Sequence, residues 1–339
     1  MIGSVELTIV GAGAIGGLIG AHLWRAGHPV RLVERDAAHA TAIRDAGLEV
    51  AGHAAFVARV PVLAPEAVTG PIGMLVLAVK TPQTEEALAP LVRHLAPDGC
   101  VVSMQNGLEE ERIGALVGRA RTAAAFLSFG GHYERPGRVV YSGPGTLRVG
   151  ELDGRLTPRV IELARILSDF HPASATGNIV GCRWGKLLLG TVYFATAMVD
   201  ADVADILDDP RARRVLSGLV GEGLAVAEAL GIAVEDVDGF DPRSLRGGES
   251  ESAAARATWN AHRAYWGRST AGRTGIWRDL AVRKRRTEAG PILGALIAAA
   301  ERAGRPVPRV RAMLARYPAL EAGAPREWAN LEALASAAG

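Results

Sequence analysis

The feature that most constrains this chain lies near its start. The segment "VELTIVG" runs directly into "GAGAIG", placing glycines at 11, 13 and 16 between a strand-like apolar run and a helix-like one. A lone GxGxxG says little. Between a strand and a helix it reads as a turn that receives a dinucleotide pyrophosphate. Gly11 permits the tight turn, Gly13 lets the backbone approach the phosphate, and Gly16 lets the helix pack closely on the strand. The helix N-terminus adds free N–H groups and a favourable dipole for an anion. The expected cofactor loop is therefore Gly11, Gly13, Ala14, Ile15 and Gly16.

The segments that follow alternate in the same way. Ala14 to Ala26 reads as a helix, "PVRLVE" as a second strand, and Ala37 to Asp45 as a second helix stopped at Gly47. "GMLVLAV" and "CVVSM" are continuous apolar runs, as strands buried on both faces require. Between them, Thr81 and Pro82 read as an N-cap followed by a first-turn proline. Alternation of this kind implies a parallel sheet with right-handed crossovers. "GRVVYSGPGTLRVGE" reads as a β-excursion turning at "SGPG". After Asn178, Ala, Leu, Arg and Glu at helical spacing dominate. The expected fold class is thus α/β. An N-terminal Rossmann-type, mostly parallel sheet domain covers 1–177, and an all-α C-terminal domain covers 178–339. The least regular part is 236–275, which holds a possible helix "ESAAARATWNAHRAYWG" and then "RSTAGRTG".

Composition excludes several classes of function. A chain of 339 residues with 49% hydrophobic residues can bury the cores of two domains. Its net charge of +2 provides no global field for nucleic acid or membrane. The run Arg283-Lys284-Arg285-Arg286 therefore reads as a solvated loop. Two cysteines, Cys100 and Cys182, make neither a disulfide framework nor a metal motif, so no metal is expected. The start "MIGSVE" has no signal-peptide pattern, and the apolar run Leu187 to Val199 is too short to span a bilayer. A cytoplasmic protein is expected.

Candidate ligand-binding residues sit at strand ends. The second strand closes on "ERD", where Glu34 would favour NAD by binding the ribose hydroxyls and Arg35 would favour NADP by pairing the 2′-phosphate. Lys80 and Gln83 follow the strand "GMLVLAV", and Asn106 follows "CVVSM". In open α/β sheets ligands lie beyond such carboxyl ends. Further on, "RWGKLLLGTVYFATAMVD" buries a single lysine in an apolar helix, with Gly190, Tyr193 and Phe194 on the side of Lys186. By itself, such a lysine more simply snorkels to solvent.

Taken together, "GAGAIGG", "LAVKTPQTEEAL", "MQNGL", "GPGTLRVGE", "RWGKLLL" and "RDLAVRKRRTE" resemble the ketopantoate reductase family, and the resemblance covers nearly the whole chain. It implies an NAD(P)H-dependent reductase of a ketone or 2-oxo acid, of the 2-dehydropantoate 2-reductase type. The small-molecule carbonyl substrate would be reduced with NADP, NAD not being excluded, by a homodimer without nucleic-acid or membrane partners. Lys186 matches the family's catalytic lysine and Glu288 its active-site glutamate, while Lys80 and Asn106 match polar residues at the nicotinamide and substrate. An ordinary lysine, with a pKa of roughly 10.4, would begin as the protonated acid.

The chain also departs from that family. Gly190 and Phe194 stand where asparagines bind substrate. Gly275, preceded by Thr274, stands at the position of a serine. Phe194 and Thr274 are accordingly candidate substrate contacts in a diverged pocket. The stretch Trp259, Asn260, His262, Tyr265, Trp266 reads first as an aromatic core face and second as a pocket wall. Two alternatives stay open. One is reduction of a more apolar ketone or an imine on the same scaffold, and the other is a dinucleotide-binding regulator without turnover.

Overall fold

The computed structural model describes residues 6–268 and 272–337. Val5 of the expected first strand, the start "MIGSV", and residues 269–271 of "RSTAGRTG" lie outside the described residues. The chain divides into two compact units, Met1–Ile179 and Val180–Gly339.

The first unit opens as its glycines require, with β1 (Leu7–Val10), the Gly11–Gly13 turn and α1 (Ala14–Arg25). Then come β2 (Val30–Val33) and α2 (Ala37–Ala46). The Asp36 carboxylate caps α2 by accepting from Ala38 N–H (2.9 Å) and His39 N–H (3.1 Å), and Gly47 ends it at φ +87°. The chain continues through β3 (Leu48–Gly52), β4 (Phe56–Ala58), β5 (Val62–Leu63), β6 (Ile72–Leu77), α3 (Thr84–Val92), β7 (Leu95–Ser103) and α4 (Glu110–Val117). It closes with β8 (Thr122–Leu127), β9 (Gly130–Arg135), β10 (Arg138–Gly143), β11 (Leu147–Glu151), α5 (Pro158–Leu167) and β12 (Ala173–Ala175).

Eight of these strands form one sheet in the order β12-β11-β8-β7-β6-β1-β2-β5. All its pairings are parallel except β11 with β8. The fully buried central residues Leu7, Ile9, Leu75, Val76 and Val101 match the continuous apolar runs of the sequence. "GRVVYSGPGTLRVGE" forms two strands about its turn, as expected, and they join different sheets: β11 the large one, and β10 a second of order β4-β3-β10-β9. One local expectation is corrected. Thr81 is not an α-helix N-cap, since a 3₁₀ turn over Thr81–Gln83 delays α3 to Thr84.

The second unit is helical: α6 (Ile179–Ala197), α7 (Val203–Asp208), α8 (Pro210–Ala229), α9 (Ala253–Gly267), α10 (Gly275–Ala281), α11 (Ala289–Ala303), α12 (Pro308–Glu321) and α13 (Trp328–Ser336). Helix α6 is apolar nearly all round, as a helix at the centre of a bundle should be. Its neighbours fix it closely. A Cβ on Gly223 of α8 would come within 2.3 Å of Leu188, so glycine sets the spacing of α8 and α6. Tyr317 of α12 donates its hydroxyl to the Phe194 carbonyl (2.8 Å), and Asn330 of α13 donates Nδ2 to the Met198 carbonyl (3.0 Å). Among the described residues, no helix is long and apolar enough to cross a membrane.

Candidate active site

In the first unit, the glycine loop has the shape a dinucleotide needs. Gly11 has φ +92°, where an L side chain would be strained. A Cβ on Gly16 would lie 2.0 Å from the Gly11 carbonyl oxygen, so glycine alone lets α1 sit this close to the turn. A Cβ on Gly13 would meet no described atom within 4 Å. This open space lies at the N-terminus of α1, whose first N–H groups have no intrahelical acceptor. Ala14 and Ile15 begin the helix there, partly exposed. The residues present therefore fit a pyrophosphate.

At the end of β2 the two competing side chains are held apart. Glu34 Oε2 accepts from Ala12 N–H (2.8 Å) and its Oε1 from Asp36 N–H (2.8 Å), so the carboxylate is fixed against the glycine loop. Arg35 is exposed and ion-paired with Glu86 of α3. Tyr133 of β9 belongs to the same neighbourhood: burial pushes its phenol pKa up, and Asp36 and Glu34 add to the effect.

The carboxyl ends of β1, β6 and β7 lie in register, with Val10 opposite Leu77 and Leu77 opposite Ser103. This brings Lys80 and Asn106, both exposed, to the same end of the sheet as Gly11. A buried network joins the two loops. Gln105 Nε2 donates to the Val79 carbonyl (3.0 Å) and to Thr84 Oγ1 (2.8 Å), and that hydroxyl lies 2.8 Å from Glu109 Oε2. Thr81 Oγ1 reaches the Asn106 carbonyl at 3.4 Å. Gln83 is exposed in the intervening 3₁₀ turn.

In the second unit, Lys186 sits half-buried on α6. Its pKa is lowered to about 7, by burial first and then by the Arg183 guanidinium, while Glu288 and Asp238 pull it back up. An ordinary protonated lysine was the expectation; burial overturns it. Glu288 is at the N-cap position of α11, beside Thr287, whose hydroxyl accepts from Ala289 N–H (3.2 Å). Asp238 was not foreseen. It occupies a two-residue turn, where Val237 and Phe240 exchange backbone bonds of 2.9 Å and Asp238 and Gly239 both have positive φ, 49° and 88°. The Asp-Gly dipeptide signals such a turn, but nothing local says which lysine it faces. Gly185 explains why this segment can lie on α6: a Cβ there would come within 2.2 Å of the Glu235 carbonyl oxygen.

Two candidate substrate contacts are corrected. Phe194 is 3% exposed, and its ring packs edge-on against Tyr317 at 5.6 Å, so it belongs to the helical core. Thr274 is 4% exposed and its hydroxyl accepts from Trp277 N–H (3.1 Å), which makes it the N-cap of α10. In the basic run, Arg283 and Arg285 both pair with Asp279 at 2.8 Å.

The chain matches the sequence model of the ketopantoate reductase PanE/ApbA family over residues 7–154 and that of its C-terminal part over 178–321. It is 29% identical over 238 residues to a 2-dehydropantoate 2-reductase of Halobacterium salinarum, covering 68% of this chain and 78% of that one. A PanE/ApbA family ketopantoate reductase from Ralstonia eutropha shares the fold with a TM-score of 0.77 and 26% identity, over 94% of this chain and 99% of that one. D-mandelate dehydrogenase, in a ternary structure with NADH and anilino(oxo)acetate, has a TM-score of 0.80 over 94% and 99% of the two chains. At 22% identity, that likeness concerns the fold alone.

Proposed function

The chain belongs to the ketopantoate reductase family, and from that premise we propose that it reduces the carbonyl of a 2-oxo acid, ketopantoate being the reference substrate, with Lys186 as general acid. The observation that carries this reading is the half-buried lysine with a pKa of about 7, flanked by the carboxylates of Glu288 and Asp238. An acid works best when its pKa is near the working pH.

The bound nicotinamide cofactor supplies the hydride. The first unit would hold that cofactor through Gly11, Gly13 and Gly16, with Lys80 and Asn106 serving its nicotinamide end and the substrate. NADP is the proposed form, with Arg35 as its phosphate partner, and NAD is the alternative. Hydride addition to the carbonyl carbon leaves negative charge on oxygen. The Lys186 ammonium stabilises that charge and passes its Nζ proton to the oxygen, giving the alcohol and a neutral amine. Glu288 and Asp238 favour reprotonation of the amine, and Arg183 opposes it. Homodimerisation and a cytoplasmic location complete the proposal and are checked by light scattering and cell fractionation.

The test is loss of nicotinamide absorbance with NADPH and NADH across a panel of 2-oxo acids, ketones and imines. Turnover of a 2-oxo acid supports the reading. Tight cofactor binding without turnover of any carbonyl or imine would replace it with a regulator.

A further inference from the structure

From Gly181 to its end at Ala197, α6 is buried at every position except three: Lys186, Gly190 and Tyr193. These are spaced i, i+4 and i+7, so they form one stripe along one side of the helix. A bundle-centre helix with a single accessible stripe marks a groove rather than an exposed face. The stripe runs about 10 Å, given the helical rise.

Its two ends differ chemically. Lys186 stands at one end. Midway, a Cβ on Gly190 would meet no described atom within 4 Å, so there is open space where the side chain is missing. At the far end, Tyr193 stacks on His262 (ring centroids 5.6 Å apart, planes 29° apart) and meets Trp266 edge-on at 5.6 Å. Phe240 backs His262 at 5.2 Å. The aromatic side chains at this end are neutral at neutral pH, with the Asp238 carboxylate the charge that acts on Tyr193. Burial pushes the His262 pKa down to about 4 and raises that of the Tyr193 phenol. His262 is 6% exposed, and its Nε2 has no hydrogen-bond partner among the described residues.

We infer that this stripe is the floor of the substrate groove, with the reacting carbonyl at Lys186 and an uncharged, bulky substituent of the 2-oxo acid, preferably aryl, lying over Gly190 against Tyr193, His262 and Trp266. The inference rests on the reductase reading and names its substrate class. An aromatic wall stacks favourably on a flat apolar group. It offers poor compensation to a hydroxyl-rich or doubly charged one, whose desolvation would go unmatched.

The test compares kcat/KM for phenylglyoxylate, ketopantoate and pyruvate in the wild type and in Gly190→Leu. The substitution removes a glycine from a helix interior and enters open space, so the fold should tolerate it. In the wild type, phenylglyoxylate should exceed ketopantoate by about tenfold or more. Gly190→Leu should lower phenylglyoxylate turnover about tenfold more than pyruvate turnover, because it fills the space the ring needs. If ketopantoate or pyruvate is preferred, or if the variant lowers all three alike, the groove assignment falls while the reductase reading stands. If no 2-oxo acid is turned over with either cofactor, both fall.

Discussion

His39 Nε2 lies 2.9 Å from the Ala12 carbonyl oxygen, although the two residues sit on different elements. The direction of this bond is settled by the other ring nitrogen. Gly137 N–H donates to His39 Nδ1 (2.9 Å), so the ring proton is on Nε2 and is donated to Ala12. In a trans peptide, C=O and N–H point in opposite directions. Holding the Ala12 carbonyl inward therefore turns the Gly13 N–H outward. Glu34 restrains the same residue through Ala12 N–H.

His39 is thus a positioning residue for the phosphate loop. His39→Leu should raise the Kd of NADPH and of ADP-ribose about tenfold, the worth of one hydrogen bond to a charged group. His39→Gln, which can still donate, should recover most of that affinity. Calorimetric titration of both variants checks it. Unchanged ADP-ribose binding by His39→Leu would remove His39 from the cofactor site.

Lys186→Ala should lower kcat by about 10²–10⁴-fold, the usual contribution of a general acid. Cofactor affinity should change little, since the glycine loop belongs to the first unit. Steady-state kinetics beside a cofactor titration separates the two effects.

The pH profile follows from the lysine's surroundings. Reduction needs the ammonium, so its rate should fall as pH rises through about 7, and oxidation of the alcohol should rise over the same range. Glu288→Gln removes an influence that raises the pKa and should move the profile to lower pH. Arg183→Gln should move it to higher pH. A profile that ignores both substitutions would assign the titration to another group.

Lys186 should also cost stability. Its folded pKa, about 7, lies below that of the unfolded chain, so the unfolded state binds more protons between about pH 7 and 10.4. The penalty is complete below that window and vanishes above it. Lys186→Met should therefore stabilise the protein by about 1–3 kcal/mol at pH 6 and by almost nothing at pH 11. Urea denaturation at the two pH values is the measurement.

Cofactor choice should respond to the acids near β2. Glu34→Ala should shift kcat/KM toward NADPH, because a carboxylate repels the 2′-phosphate. Glu86→Gln should do the same more weakly, by releasing Arg35 from its exposed ion pair. A shift toward NADH in either variant would contradict this placement.

Some of this was legible in the residues alone. Glycine sterics act over a few positions, so strand, tight turn and close-packed helix could be read from "GAGAIG". Apolar runs and helical spacing likewise gave the α/β alternation and the helix that carries Lys186. These signals are local, and local backbone physics decides them. The tertiary structure decided what required separate segments to converge. It put β10 and β11 in different sheets, made Thr274 a helix cap and buried Phe194 against Tyr317. It also lowered the Lys186 pKa, because burial and the charges of Arg183, Glu288 and Asp238 act through distances in space that spacing along the chain does not encode.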